Sequence, residues 1–353
     1  MTADRLTAQL LAGPPARDPV AVVERLLAVQ GQDQRGFRLA IRSRSTGLSA
    51  VDVDRALTDD RSLVVTWVNR GTLHLVRSED YPWLHALTAP PIDRGNARRL
   101  AQEGVTVRAA NRGVDVITRS LETDGPLSRD QLRERLEQAN VPTKGQALVH
   151  VLVLASLRGL TVRGPMVDGQ HAYVLVKDWL DEPPPIDRDV ALAELARRYL
   201  AGHGPADARD LAKWSGLPLR DSRAGLSAIA GELEERPDGL VDLKKRQPVA
   251  ELPPPRLLGS FDPLLLGWRS REPLVGGDQA VLTVNGIFRP FALVRGRAAA
   301  TWTMPGPSIV LQPFTTVSRK DRAALAADAK SVAHFMGVRG PSPMTVADRE
   351  STD

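Results

Sequence analysis

The sequence predicts an α+β fold: three tandem winged-helix modules, each a helix-turn-helix unit closed by a β-hairpin wing, ahead of a C-terminal β-rich domain. Three observations predict it. Helical periodicity gives way three times to paired apolar runs separated by turn residues. After Pro253-Pro254-Pro255 the pattern changes to short β-rich runs with hairpin turns. A chain of 353 residues is also too long for one small core.

In the first unit, Asp18-Pro19 supplies an N-cap and a first-turn proline. Val20, Val23, Leu26 and Leu27 form the buried stripe of a helix ending near Gln30. A short helix from about Arg35 to Arg44 follows, then one from Ser49 through Leu57 with a capping-box start. Val64 to Val68 and Leu73 to Val76 read as strands around the turn Asn69-Arg70-Gly71-Thr72.

The second unit has a helix capped by Ser128, a helix from about Lys144 to Arg158, and a hairpin around Val167-Asp168-Gly169. A proline-rich linker at 181–185 leads to the third. Its helices run from Asp189, Pro205 and Leu219, and its wing lies near 236–240. Val281 to Asn285, Ile287 to Val294 and Ala298 to Trp302 then read as strands, and Ser318 to Met336 as an amphipathic helix. The expected partition is 1–112, 113–182, 183–250 and 251–340, with 341–353 a disordered tail.

Composition narrows the chemistry. Hydrophobic residues at 42% suffice for several cores, and no apolar run reaches membrane-spanning length, so a cytoplasmic protein without membrane contact is expected. The absence of cysteine excludes disulfides, thiolate nucleophiles and cysteine-ligated metal. No pair among the six histidines has a helical metal spacing, so neither metal nor cofactor is expected. Phosphate-cradling glycine loops and serine-hydrolase elbows are also missing. The net charge of +5 comes with 40 arginines against 7 lysines, a bias that suits phosphate and guanine edges and also follows from a GC-rich genome.

The stretch Val29-Gln30-Gly31-Gln32-Asp33 carries the candidate chemistry. If the chain is extended there, Gln30 and Gln32 share a face and two amides can hold one water. A glutamine after a helix also serves simply by hydrogen-bonding a loose carbonyl or solvent. Asp33 is either a base or the cap of the next helix. Arg35, Arg38 and Arg42, at spacings of three and four, either present one basic face to phosphate or form a solvated face. Lys144 and Gln146 open a candidate recognition helix. Asn285, Arg295 and Arg297 sit on β-turns able to reach a minor groove.

Leu27-Ala28-Val29-Gln30-Gly31-Gln32-Asp33, Asn69-Arg70-Gly71-Thr72-Leu73-His74-Leu75-Val76, the run Leu258 to Arg271 containing Ser260-Phe261-Asp262-Pro263, and Phe288-Arg289-Pro290 to Trp302 occur in one order. Together they resemble the winged-helix DNA glycosylases of the AlkZ-like and YcaQ-like family, over about residues 5 to 335. The resemblance implies a C-shaped array of three winged helices with a β-barrel, acting on double-stranded DNA that carries alkylated purines. It implies excision of bulky alkylated purines, including unhooking of interstrand crosslinks. The family's catalytic element, glutamine, aliphatic residue, then glutamine or aspartate, maps onto Gln30 and Gln32. The second glutamine is similar to the AlkZ-like branch, which often gives self-resistance to bacteria making a DNA-alkylating antibiotic.

Gly31 departs from the aliphatic middle residue, and a glycine there loosens the backbone between the amides. His74 and Asp262 belong to the shared motifs and are equally explained by packing. The expected enzyme is a monomeric, monofunctional hydrolase that forms no Schiff base. The competing expectation is a winged-helix transcription regulator, or a damage binder without catalysis.

Overall fold

The computed structural model describes residues 3–181, 186–246, 248–276, 280–283, 286–338, 340 and 343–347. Helix α1 (Ala3–Ala8) precedes α2 (Pro19–Leu26), which Asp18 caps by accepting from the Ala21 amide. Leu27, at φ 64°, ends that helix and turns the chain into the two-residue strand β1 (Val29–Gln30). Gln30 therefore lies in a sheet, where the stripe of apolar residues suggested a helix end. Helices α3 (Gln34–Arg42) and α4 (Ala50–Thr58) follow, the first capped by Asp33 and the second by a Ser49/Asp52 capping box.

Strands β2 (Leu63–Val68) and β3 (Thr72–Arg77) form the first hairpin. Two helices absent from the sequence reading come next, α5 (Tyr81–Gln102) and α6 (Val107–Asp124). The expected boundary at 112 falls inside α6. Helices α7 (Arg129–Gln138) and α8 (Ala147–Leu157) lead into the second hairpin, β4 (Thr161–Val167) and β5 (Gln170–Leu175), and the short α9 (Val176–Trp179). Helices α10 (Arg188–His203), α11 (Ala208–Ser215) and α12 (Leu219–Ala228) precede the small hairpin of β6 (Leu233–Glu235) and β7 (Val241–Leu243).

The first two hairpins form a single sheet. Strand order is β1-β3-β2-β4-β5, and an antiparallel pairing of Val65 with Arg163 joins the halves. The largest apolar cluster likewise joins distant parts of the chain: Leu6, Leu27 and Val64 pack with Tyr199 and Trp214 and with Trp268 and Phe291. The first and third units and the C-terminal region thus share a core.

The C-terminal region comprises β8 (Arg256–Leu258), the short helices α13 (Pro263–Leu266) and α14 (Glu272–Val275), β9 (Phe291–Val294), β10 (Arg297–Thr303), β11 (Ile309–Pro313), α15 (Arg319–Phe335) and β12 (Met344–Val346). Its sheet has the order β12-β11-β10-β9-β8, so among the described residues it is open where a barrel was expected. Among the described residues around 281–288, the expected strands reduce to one bridge, Leu282 with Phe288. Part of the expected disordered tail is ordered as β12, which adds in parallel to β11. The proline linker at 182–185, residues 341–342 and 348–353 lie outside the described residues. No helix among the described residues is long and apolar enough to cross a membrane.

Candidate active site

Strand β1 positions the glutamines. Val29 pairs with Leu75 and Gln30 with His74, and the Gly31 amide donates to the Leu73 carbonyl at 2.7 Å. The glycine is thereby fixed in the ladder, not loose. Gln32 lies in the bend just after β1, and its side chain turns to the same side as that of Gln30. Gln30 is buried, Gln32 is exposed, and Gln30 Nε2 donates to Gln32 Oε1 at 2.6 Å.

The orientation of both amides follows from one donor-only group. Arg70 Nη2 lies 3.1 Å from Gln30, and a guanidinium has no acceptor, so the facing Gln30 atom is Oε1. Its Nε2 then points at Gln32, whose facing atom is in turn Oε1. Thr72 Oγ1 adds a second, long donation to Gln30 Oε1 at 3.4 Å. The Gln30 oxygen is thus occupied, while exposed Gln32 retains its amide N–H groups and a lone pair. Such a pair can orient a water and offer a negative dipole, but cannot take up a proton as a strong base.

Val68 pairs with Thr72, so Asn69, Arg70 and Gly71 make the turn of the β2–β3 hairpin. Asn69 and Gly71 occupy left-handed backbone at φ 56° and 78°, which suits asparagine and glycine. Arg70 reaches back from this turn and also donates to the Trp214 carbonyl at 2.5 Å. Burial, reinforced by the like charge of Arg271, lowers its pKa to about 10, leaving it cationic at neutral pH. His74 is buried on β3 opposite Gln30, and its Nδ1 donates to the Thr72 carbonyl at 2.9 Å. Burial, then the Arg70 charge, push the ring's pKa down to about 3, so it is neutral.

The other sequence candidates separate. Arg38 and Arg42 do not form a basic outer face: both are buried, Arg38 on Asp54 and Arg42 on Asp328 and the Leu257 carbonyl. Arg38 ties α3 to α4 and Arg42 ties it to the C-terminal region, so these cations hold the fold together. Arg35 is half-buried, against Met304 and the Trp302 ring. Lys144 and Gln146 are exposed in the turn before α8, where the Gln146 amide donates to Glu103 Oε2 at 3.0 Å. Helix α8, which they precede, has its apolar residues buried in a cluster with α6 and α7.

Arg295 is exposed and ion-paired with Asp321, and Arg297 is exposed beside Gly276. Asn285 lies outside the described residues. Asp33 acts as a cap, accepting from the Arg35 amide at 2.9 Å and from Ser260 Oγ. Asp262 holds Arg44 in a fully buried ion pair. Arg70 and Thr72, the groups that fix the glutamines, lie in the Asn69-Arg70-Gly71-Thr72 turn, whose sequence assigns them no role. A hairpin turn followed by β3 was legible, but its return onto β1 was not.

The profile of the DNA glycosylase AlkZ-like family matches residues 23–335. An interstrand DNA cross-link repair glycosylase of Streptomyces sahachiroi is 28% identical over 355 residues, covering 92% of each chain. The solved structure of Streptomyces sahachiroi DNA glycosylase AlkZ superposes with a TM-score of 0.77 at 25% identity, covering 98% of each chain. A match to the family profile over most of its length, together with a relative and a fold that align end to end, makes this chain a member of the AlkZ-like family of DNA glycosylases.

Proposed function

We propose that this glycosylase hydrolyses the N-glycosidic bond of bulky, cationic N7-alkylguanines in double-stranded DNA, unhooking interstrand crosslinks among them, with Gln30 and Gln32 as the catalytic pair. The observation that carries the reading is the 2.6 Å contact between two carboxamides, one of them exposed, with the neighbouring Asp33 carboxylate committed to capping α3. Amides suffice for this substrate. An adduct on guanine N7 makes the base cationic, so when the C1′–N9 bond breaks the electron pair neutralises the ring and no general acid is needed. Positive charge develops on the sugar, as in other glycosyl transfers. Gln32 Oε1 faces that charge and orients the attacking water, which adds to C1′ and releases its proton to solvent. An abasic site remains, and no amine enters the reaction.

Gln30 is the less exposed partner and sets the geometry of Gln32 through their shared hydrogen bond. The three helix–hairpin units and the C-terminal sheet are read as a C-shaped holder for the duplex, with the protein acting as a cytoplasmic monomer. The biological setting we favour is DNA repair or self-resistance to a genotoxic natural product. The Streptomyces sahachiroi relative, an interstrand DNA cross-link repair glycosylase, supports the crosslink part of the reading.

Single-turnover base release from a duplex with one cationic N7-guanine adduct tests this, comparing wild type with the double variant Gln30→Ala, Gln32→Ala and with a uracil duplex. Release of the adduct by wild type alone, with uracil retained, is expected. Equal release by the double variant removes the glutamines from the mechanism, and tight binding without release removes the adduct class.

A further inference from the structure

A cavity of about 670 Å³ is lined by Arg70 and by neither glutamine. Its lining brings together Arg70 of the β2–β3 turn, Arg98 and Arg99 of α5, and Lys213 of α11, and no aspartate or glutamate is among the described lining residues. Arg98, Arg99 and Lys213 are exposed at its rim. Arg70 lies deeper, and its polar partners, Gln30 Oε1 and the Trp214 carbonyl, are neutral. Those two bonds leave further guanidinium N–H groups for a ligand. Asn69, another lining residue, is 2% exposed, yet neither its Nδ2 nor its Oδ1 has a partner among the described residues. A half-buried cation with no counter-charge among the described residues, and a buried amide with no partner among them, both leave bonding capacity that a ligand can complete.

We propose that this cavity is a backbone-phosphate subsite for the substrate duplex, in which Arg70, joined to Gln30, couples the capture of one phosphate near the lesion to the orientation of the glutamine pair. The inference rests on the base-excision reading above. The charge pattern selects the phosphate over the modified base: a cationic guanine adduct is repelled by four clustered cations, whereas a phosphodiester is attracted and matches the guanidinium fork. Arg98, Arg99 and Lys213 draw the strand in. Arg70 is a positioning residue, since it reaches the reacting centre only through Gln30.

The test is binding and single-turnover release with duplexes that carry one neutral methylphosphonate linkage, moved stepwise past the adduct. Wild type, the rim variant Arg98→Gln, Lys213→Gln, and Arg70→Gln and Arg70→Lys are compared over a salt series. Wild type is expected to lose affinity at one or two linkages near the adduct. The rim variant should become indifferent to those linkages, with a salt slope reduced by about 0.9 per lost phosphate contact. Arg70→Gln should slow release at saturating enzyme at least tenfold, whereas Arg70→Lys should keep the salt slope but not the rate, separating charge from amide orientation.

A linkage profile that is flat, or the same in wild type and rim variant, overturns the proposal even if Arg70→Gln fails to fold, because the rim residues are exposed. Stronger inhibition by inorganic phosphate than by chloride at matched ionic strength, with a flat profile, would make this a free-anion site and also overturn it. Absence of release by wild type would sink the excision reading alone, since the linkage profile is read from binding.

Discussion

Arg44 and Asp262, 218 positions apart, form a two-pronged ion pair at 2.9 and 2.8 Å with neither side chain exposed. Gln9 Oε1 accepts a further Arg44 N–H at 3.0 Å, and Asp262 Oδ1 accepts from the Leu264 amide at 2.9 Å. The aspartate of the Ser260-Phe261-Asp262-Pro263 motif thus joins the N-terminal helices to the C-terminal region.

Removing one partner strands the other charge in the interior, which costs about 3–5 kcal/mol in comparable pairs. Asp262→Asn should therefore lower the urea midpoint sharply and impair base release only in proportion to the unfolded fraction. A loss of release in fully folded variant protein would give Asp262 a direct role in the chemistry.

The two glutamines should separate stability from activity. Gln32 is exposed, so Gln32→Ala should leave the melting temperature unchanged while slowing release, by about a hundredfold if its oxygen faces the developing charge. Gln30→Ala also leaves the half-buried Arg70 short of an acceptor, adding about 0.5–1.5 kcal/mol of destabilisation to the kinetic defect. Thermal melting beside single-turnover release distinguishes the two patterns.

Gly31 sits where a side chain is tight. An added Cβ would lie 3.2 Å from Val65 Cγ1 and 3.3 Å from the His74 backbone. Gly31→Ala should therefore destabilise by about 1–3 kcal/mol through overpacking, with a smaller effect on release than either glutamine variant. Equal or higher stability would show that β3 yields freely there.

Acid should weaken the fold through histidines buried as neutral rings. Burial takes His74 and His203 down to about 3 and His171 to about 4, from an ordinary 6.5. Between those values and 6.5 the unfolded chain binds more protons than the folded one. Their contribution is therefore complete above about pH 6.5 and is lost as pH falls, by up to about 1.4 kcal/mol per pH unit for each ring. Urea midpoints at pH 7.5, 6.5 and 5.5 should decline. A constant midpoint would mean that the rings take up protons within the fold.

The glutamine pair was legible from its Gln-x-Gln spacing alone, and the first two hairpins because turn residues and alternation coincide. The long α5 was not, because Pro90 and Pro91 lie inside it and break any local helical signal. Arg38 and Arg42 had the spacing of a basic face. That spacing is silent about Asp54 and Asp328, which neutralise them from 16 and 286 residues away. Nor does a two-residue strand such as β1 leave a periodic trace, so the contact of Arg70 with Gln30 depends on a pairing that only the folded chain reveals.

The seam between Val65 and Arg163 also bears on how the molecule can be divided. Because the second hairpin completes the sheet of the first, a fragment ending after α6 would leave β2 with an unpaired, apolar edge. Such an edge invites pairing with another chain. Trimming the protein to the segment that carries Gln30 and Gln32 would therefore trade a folded enzyme for an aggregating one, and any smaller excision module has to keep both hairpins.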